Sequence, residues 1–162
     1  MQPKSPIISV SDLYQKINDI NIRIIDTRFS LFNKNEGKAL FDKSHITGAI
    51  YADLDEDLAG NITESSGRHP LPNVNTISGK LRKWGINKLT HVIVYDHNNG
   101  SIASRLWWLL KWLGHEKVSV LDGGFLEWEK SNFPIDNSIS NYEPGNFAPV
   151  LNEDNTWTAE LI

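Results

Sequence analysis

The residues whose types and spacing suit chemistry gather in one stretch, HVIVYDHNNGSIASRLWW, from His91 to Trp108. A β-branched apolar run ends at Asp96, the polar loop His97, Asn98, Asn99, Gly100 follows, and Ser101 opens an apolar, aromatic pattern of helical spacing. Strand, loop and helix in this order can hold an anion, because the first N–H groups of a helix lack intrahelical partners and the positive end of its dipole lies there. Gly100 lets backbone come close to a ligand. The loop is neither a Walker A sequence, since no GK[ST] follows, nor the GxGxxG fingerprint. Pattern alone leaves a ligand-binding loop and a plain strand-to-helix turn both open.

Asp96 stands where several α/β enzymes carry a phosphoryl-accepting aspartate. That chemistry uses a metal held by further carboxylates, and Asn98 occupies the position where a second acid would help. An aspartate that caps its own loop is the plainer reading. Arg105, one helical turn after Ser101, either points back to the loop or forms a surface pair. Trp108 and Trp112 are i, i+4 neighbours while Trp107 faces elsewhere, so this helix covers more than one surface. Asp55 and His69 (in RHPLP) are polar residues of a loop-rich region, solvated by default. His45, His69, His91, His97 and His115 do not fall at metal-ligand spacing, so no metal site is expected.

The chain of 162 residues contains no cysteine. Disulfides, thiolate ligands and cysteine nucleophiles are thereby excluded, and covalent chemistry would need an oxygen or nitrogen group. The net charge of -4, from 16 basic and 20 acidic residues spread along the chain, leaves no basic stripe for nucleic acid. No apolar run approaches the ~20 residues that cross a bilayer, and MQPKSPIISV lacks the pattern of a signal peptide. A soluble, cytoplasmic protein without membrane or nucleic-acid partners is expected.

The elements that must position the loop follow from periodicity. Ser9 and Asp12 suit an N-cap for a helix over 10–19, with Leu13, Ile17 and Ile20 at helical spacing. Ile22–Asp26 reads as a buried strand, Arg28 to Ser44 as a loop-rich stretch, Gly48 as a bend, and AIYAD as a short strand. Glu56 to Asn75 is rich in turn formers, and the prolines of RHPLP exclude regular helix there. Thr76 to Trp84 reads as a helix stopped by Gly85, residues 101–113 as a helix stopped by Gly114, Lys117 to Leu121 as a strand, and FLEWEK as a last helix. Strands alternating with helices imply a single α/β domain with a mainly parallel sheet and helices on both faces. Ligands gather at the carboxyl ends of such strands, where the Asp96 loop lies. From Phe133 onward the Pro-, Asn- and Ser-rich composition reads as a linker.

The succession IIDTR, HITGA, RHPLP, VIVYD, ASRLWW and LGHEKVSVLDGGFLEW, from about Ile8 to Pro134, resembles the rhodanese-like family. More narrowly it resembles the N-terminal domain of tandem-domain thiosulfate and 3-mercaptopyruvate sulfurtransferases. The resemblance implies a rhodanese-like domain over 1–134, with 135–162 as interdomain linker and start of a missing second domain, since LNEDNTWTAELI is similar to the opening of that domain. It places Asp96 at the position of the family's persulfide-forming cysteine. A carboxylate cannot carry a persulfide, so the isolated chain is expected to be inactive. The loop Asp96, His97, Asn98, Asn99, Gly100, Ser101, with Arg105 behind it, then corresponds to a degenerate active-site loop.

His69 matches the histidine of the family's H-[LM]-P motif, and Asp55 an acidic residue after GA. The resemblance makes both candidate proton-relay partners at an interdomain active site. The implied partners are a C-terminal catalytic domain of the same protein and a small sulfur donor, with no cofactor and no metal. Two alternatives remain at this stage: a stand-alone inactive rhodanese domain serving as a binding or regulatory module, and an aspartate-based phosphoryl-transfer enzyme.

Overall fold

A computed structural model describes residues 5–156. In chain order its elements are β1 (Ile7–Ile8), α1 (Val10–Lys16), β2 (Ile22–Asp26), α2 (Glu36–Lys43), β3 (His45–Ile46), β4 (Ile50–Tyr51), α3 (Val74–Lys83), β5 (His91–Tyr95), α4 (Ala103–Trp112), β6 (Val118–Leu121), α5 (Gly124–Lys130) and β7 (Ile135–Asp136). The central sheet has the order β1-β6-β5-β2-β4 with every neighbouring pair parallel. This is the α/β architecture expected from alternating strands and helices.

Side chains of successive strand residues point to opposite faces, and the two cores follow that period. Ile25, Val92 and Val94 face α3 and α4, packing with Ile77, Leu81, Leu106, Leu109 and Leu110. Ile24, Ile93 and Tyr95 face α1, α2 and α5, packing with Leu13, Phe41, Phe125 and Trp128. Each such side chain contributes about 1.5–3 kcal/mol when fully buried. The near-continuous apolar runs of β2 and β5 thus reflect strands covered on both faces.

Several expectations are corrected. The loop-rich stretch from Arg28 to Ser44, in which no helix is expected, contains α2. Its Gly37 obscures the helical pattern, yet a Cβ there would collide with the carbonyl oxygen of Arg28 and the hydroxyl of Tyr51, so close packing demands glycine. Helix α1 ends at Lys16, short of 19, and Ile20 is exposed. Helix α3 starts earlier than Thr76, because Asn73 caps it by accepting hydrogen bonds from Asn75 and Thr76 N–H groups.

The segment after Phe133 has little regular structure but lies against the domain. β7 pairs antiparallel with β3, the Gly145 and Phe147 N–H groups donate to Arg82 and Ile86 carbonyls (2.7 and 3.1 Å), and Val150 N–H donates to Leu113 (2.9 Å). Phe147 is buried in the core on the α3/α4 face. The end of LNEDNTWTAELI, read as the opening of a second domain, lies outside the described residues.

Candidate functional site

Asp96 follows the last residue of β5, and its carboxylate turns back into its own loop. Oδ1 accepts the N–H of Gly100, and Oδ2 accepts the N–H groups of Ile102 and Ala103, each at 3.0 Å. The helix N-terminus therefore already holds an anion, supplied by the residue that opens the loop. Asp96 is only 4% exposed. On its other side its carbonyl accepts Phe125 N–H at 2.9 Å and that of His97 accepts Leu126 N–H at 3.0 Å. Such close passage explains DGG: a Cβ on Gly124, at φ +59, would stand 2.6 Å from the Asp96 carbonyl oxygen. His97, Asn98 and Asn99 point to solvent, with Asn99 Oδ1 accepting Ser101 N–H at 3.0 Å. With both oxygens turned inward, Asp96 is not presented as a phosphoryl acceptor.

Asp55 and His69, 14 residues apart, meet: His69 Nε2 lies 3.0 Å from Asp55 Oδ1. Asp53 builds the turn that presents Asp55, its Oδ1 accepting the N–H groups of Asp55 and Glu56 at 2.9 Å each. An ionised Asp55 fixes the tautomer with hydrogen on Nε2, which leaves Nδ1 to take up or deliver a proton. Both side chains are about one quarter exposed, at 24% and 28%, so the pair is accessible to a reactant. Lys34 Nζ is 3.8 Å from the second Asp55 oxygen, and the Phe29 ring stands edge-on to His69.

Arg105 does neither of the two things its spacing suggests. Its guanidinium donates to the carbonyl oxygens of Leu58, His69 and Pro70. Burial lowers its pKa from the ordinary arginine value.

Residues 28–32, with Glu36 and Leu40, form a cleft of about 480 Å³ with His97, Ser101 and Ile102 of the Asp96 loop. Arg28 is anchored beneath it by Asp26, with Nη2 to Oδ2 at 2.6 Å, and both side chains are buried. Tyr95 donates to the same Asp26 oxygen at 2.7 Å, and its hydroxyl pKa is raised well above normal by burial and then by the Asp26 charge. Tyr51 shifts in the same direction, by burial first and the Asp53 charge next, so both phenols act as donors. Phe32 is fully exposed and Leu31 half exposed at this end. The sequence reading missed Phe29, Leu31 and Phe32; apolar residues in a supposed loop are the signal that marks such a surface. Among the described residues no three His, Asp or Glu side chains gather as a metal ion would require.

The rhodanese-like domain family matches residues 9–131. The chain belongs to that family. It is 34% identical over 162 residues to the probable 3-mercaptopyruvate sulfurtransferase of Pseudomonas aeruginosa, covering 96% of this chain and 57% of that protein. Against the 3-mercaptopyruvate sulfurtransferase of Escherichia coli K12 it is 31% identical, covering 88% of this chain and 50% of the relative. Among solved structures, the 3-mercaptopyruvate sulfurtransferase from Leishmania major superposes with a TM-score of 0.81 at 28% identity, covering 91% of this chain and 42% of that one. The Escherichia coli 3-mercaptopyruvate enzyme superposes with a TM-score of 0.79 at 30% identity, covering 92% and 58%. This rhodanese-like chain thus spans about half the length of these relatives.

Proposed function

We propose that this rhodanese-like chain is the non-catalytic, N-terminal half of a cytoplasmic two-domain sulfurtransferase acting on thiosulfate or 3-mercaptopyruvate. One observation carries the reading: the cradle at the start of α4 is filled by the Asp96 carboxylate, in a chain without cysteine. A thiolate in the C-terminal domain would attack the donor's sulfane or mercapto sulfur, releasing sulfite or pyruvate, and pass that sulfur to cyanide or a thiol. This half contributes a wall: the apolar cleft around Phe29 and Phe32, and the His69–Asp55 pair to move a proton at Nδ1.

The test has two arms. The purified chain, given thiosulfate and cyanide, forms no thiocyanate, and measurable turnover would overturn the assignment. In the protein carrying the second domain, His69→Gln lowers kcat by about 100-fold, the lower end of the range typical of lost proton transfer. An unchanged kcat would remove the relay from the reading. The second reading, a self-contained binding module, draws its support from the open cleft beside exposed Phe32.

A further inference from the structure

We infer that Arg105 is a positioning residue for the His69–Asp55 pair, locking together the two chain segments that carry them. This deepens the functional reading above and rests on it. A guanidinium offers five N–H donors in a planar fork. Arg105 directs Nε and Nη2 to the Leu58 carbonyl at 3.3 and 3.1 Å, and Nη2 also to the His69 and Pro70 carbonyls at 3.0 Å each. Leu58 closes the turn that presents Asp55, its N–H donating to the Asp53 carbonyl at 3.2 Å. His69 and Pro70 belong to the returning segment, and Gly60 N–H bonds the Pro70 carbonyl at 2.9 Å. One side chain therefore spans both sides of the loop that ends in the histidine–carboxylate contact.

Among the described residues no carboxylate pairs with the fork, and its four hydrogen bonds go to main-chain oxygens. A half-buried charge is disfavoured unless its hydrogen bonds are well made, and Nη2 alone makes three of these four while Nε adds the other, so the geometry is selective for arginine over lysine, whose ammonium ends one bond short of the Nη2 position and has no counterpart to the Nε donor. The base from which Arg105 reaches is itself fixed, because Asp96 grips the N–H groups of Ile102 and Ala103 one turn earlier. The degenerate loop and the relay pair are thus tied to the same turn of α4. The carbonyls fix where the His69 backbone lies, and that placement sets Nε2 within reach of Asp55.

The experiment reads the His69 imidazole in the intact chain by nitrogen-15 NMR, comparing the parent with Arg105→Met, Arg105→Lys and Asp55→Ala. In the parent the neutral ring is held as the tautomer with hydrogen on Nε2. Arg105→Met moves the nitrogen signals toward the mixed-tautomer positions of Asp55→Ala, and Arg105→Lys falls between. A folded Arg105→Met chain with parental signals would overturn the inference. Should Arg105→Met fail to fold, Arg105→Lys, which keeps charge and stem, decides the matter: parental His69 signals there overturn it equally. Failure of the functional reading is distinguishable, since it shows as a His69→Gln enzyme with unchanged turnover and leaves the tautomer result untouched.

Discussion

Replacing Asp96 by alanine removes the anion that fills its own loop, and the structure sets the size of the effect. Three N–H groups lose an acceptor at 3.0 Å. Gly100 and Ile102 are partly open to water and can be resolvated, whereas Ala103 is buried, and a buried donor left unsatisfied costs about 1–3 kcal/mol. Loss of a negative charge at a helix N-terminus adds about 0.3–1 kcal/mol. Together the change amounts to about 1.3–4 kcal/mol, the upper part arising if water cannot reach the first turn of α4. Asp96→Asn keeps one acceptor oxygen without the charge, and loses about 1–2 kcal/mol. Urea unfolding followed by the fluorescence of the 6 tryptophans measures both. At about 2–4 °C per kcal/mol for a domain of this size, Asp96→Ala melts roughly 3–16 °C below the parent. Sulfate should recover part of that loss in the alanine variant beyond its general effect on the parent, because the emptied cradle can take an external anion. A loss below about 0.5 kcal/mol, the size of an ordinary surface substitution, would refute the view that the carboxylate organises the loop.

The other predictions concern the frame around the site. Phe147→Ala removes a buried ring from the α3/α4 core and costs about 3–5 kcal/mol in urea unfolding, whereas a passive linker would give almost nothing. Asp26→Asn strands the buried Arg28 guanidinium and costs about 3–5 kcal/mol by the same measurement, with thermal unfolding as a check. Burial holds His115 below its ordinary pKa of about 6.5, so below that pH the unfolded chain takes up a proton that the folded chain resists. Melting temperature therefore falls as pH drops from 6.5 toward 5, by burial of His115 in part, and His115→Gln flattens the slope; parallel pH curves for the two proteins would contradict this.

The parts of the fold legible in the sequence are those where local pattern and tertiary demand agree. β2 and β5 carry apolar residues on both faces because both are covered, and that leaves a near-continuous signal in IRIID and HVIVY, interrupted in β2 by the buried Arg23 and Asp26. Helix α2 was hidden for the opposite reason, since Gly37 answers to the Arg28 backbone and Tyr51 rather than to helix propensity. The strands β3 and β7 have 2 residues each, and their pairing joins His45 to Asp136, a contact that no window of sequence contains. The tail misled by composition: its polar side chains say linker, while its backbone donors and one phenylalanine tie it to the domain.

At the site, the plainer reading of Asp96 as a residue that caps its own loop holds, but its three donors were not readable, because those N–H groups converge on it only once β5 and α4 are set. A thiol has one weak acceptor atom and is mostly neutral at pH 7 unless its surroundings lower its pKa of about 8.5. A carboxylate is charged throughout that range and has two oxygens, enough to satisfy the Gly100, Ile102 and Ala103 donors together. Aspartate therefore makes the cradle a permanent structural joint, where a thiolate would make it a reactive one. The joint in turn fixes the helix from which Arg105 reaches the Asp55 and His69 segments. The carboxylate that fills the cradle thus also stiffens the support for the His69–Asp55 pair, and the two effects have one cause: a fixed charge at the N-terminus of α4.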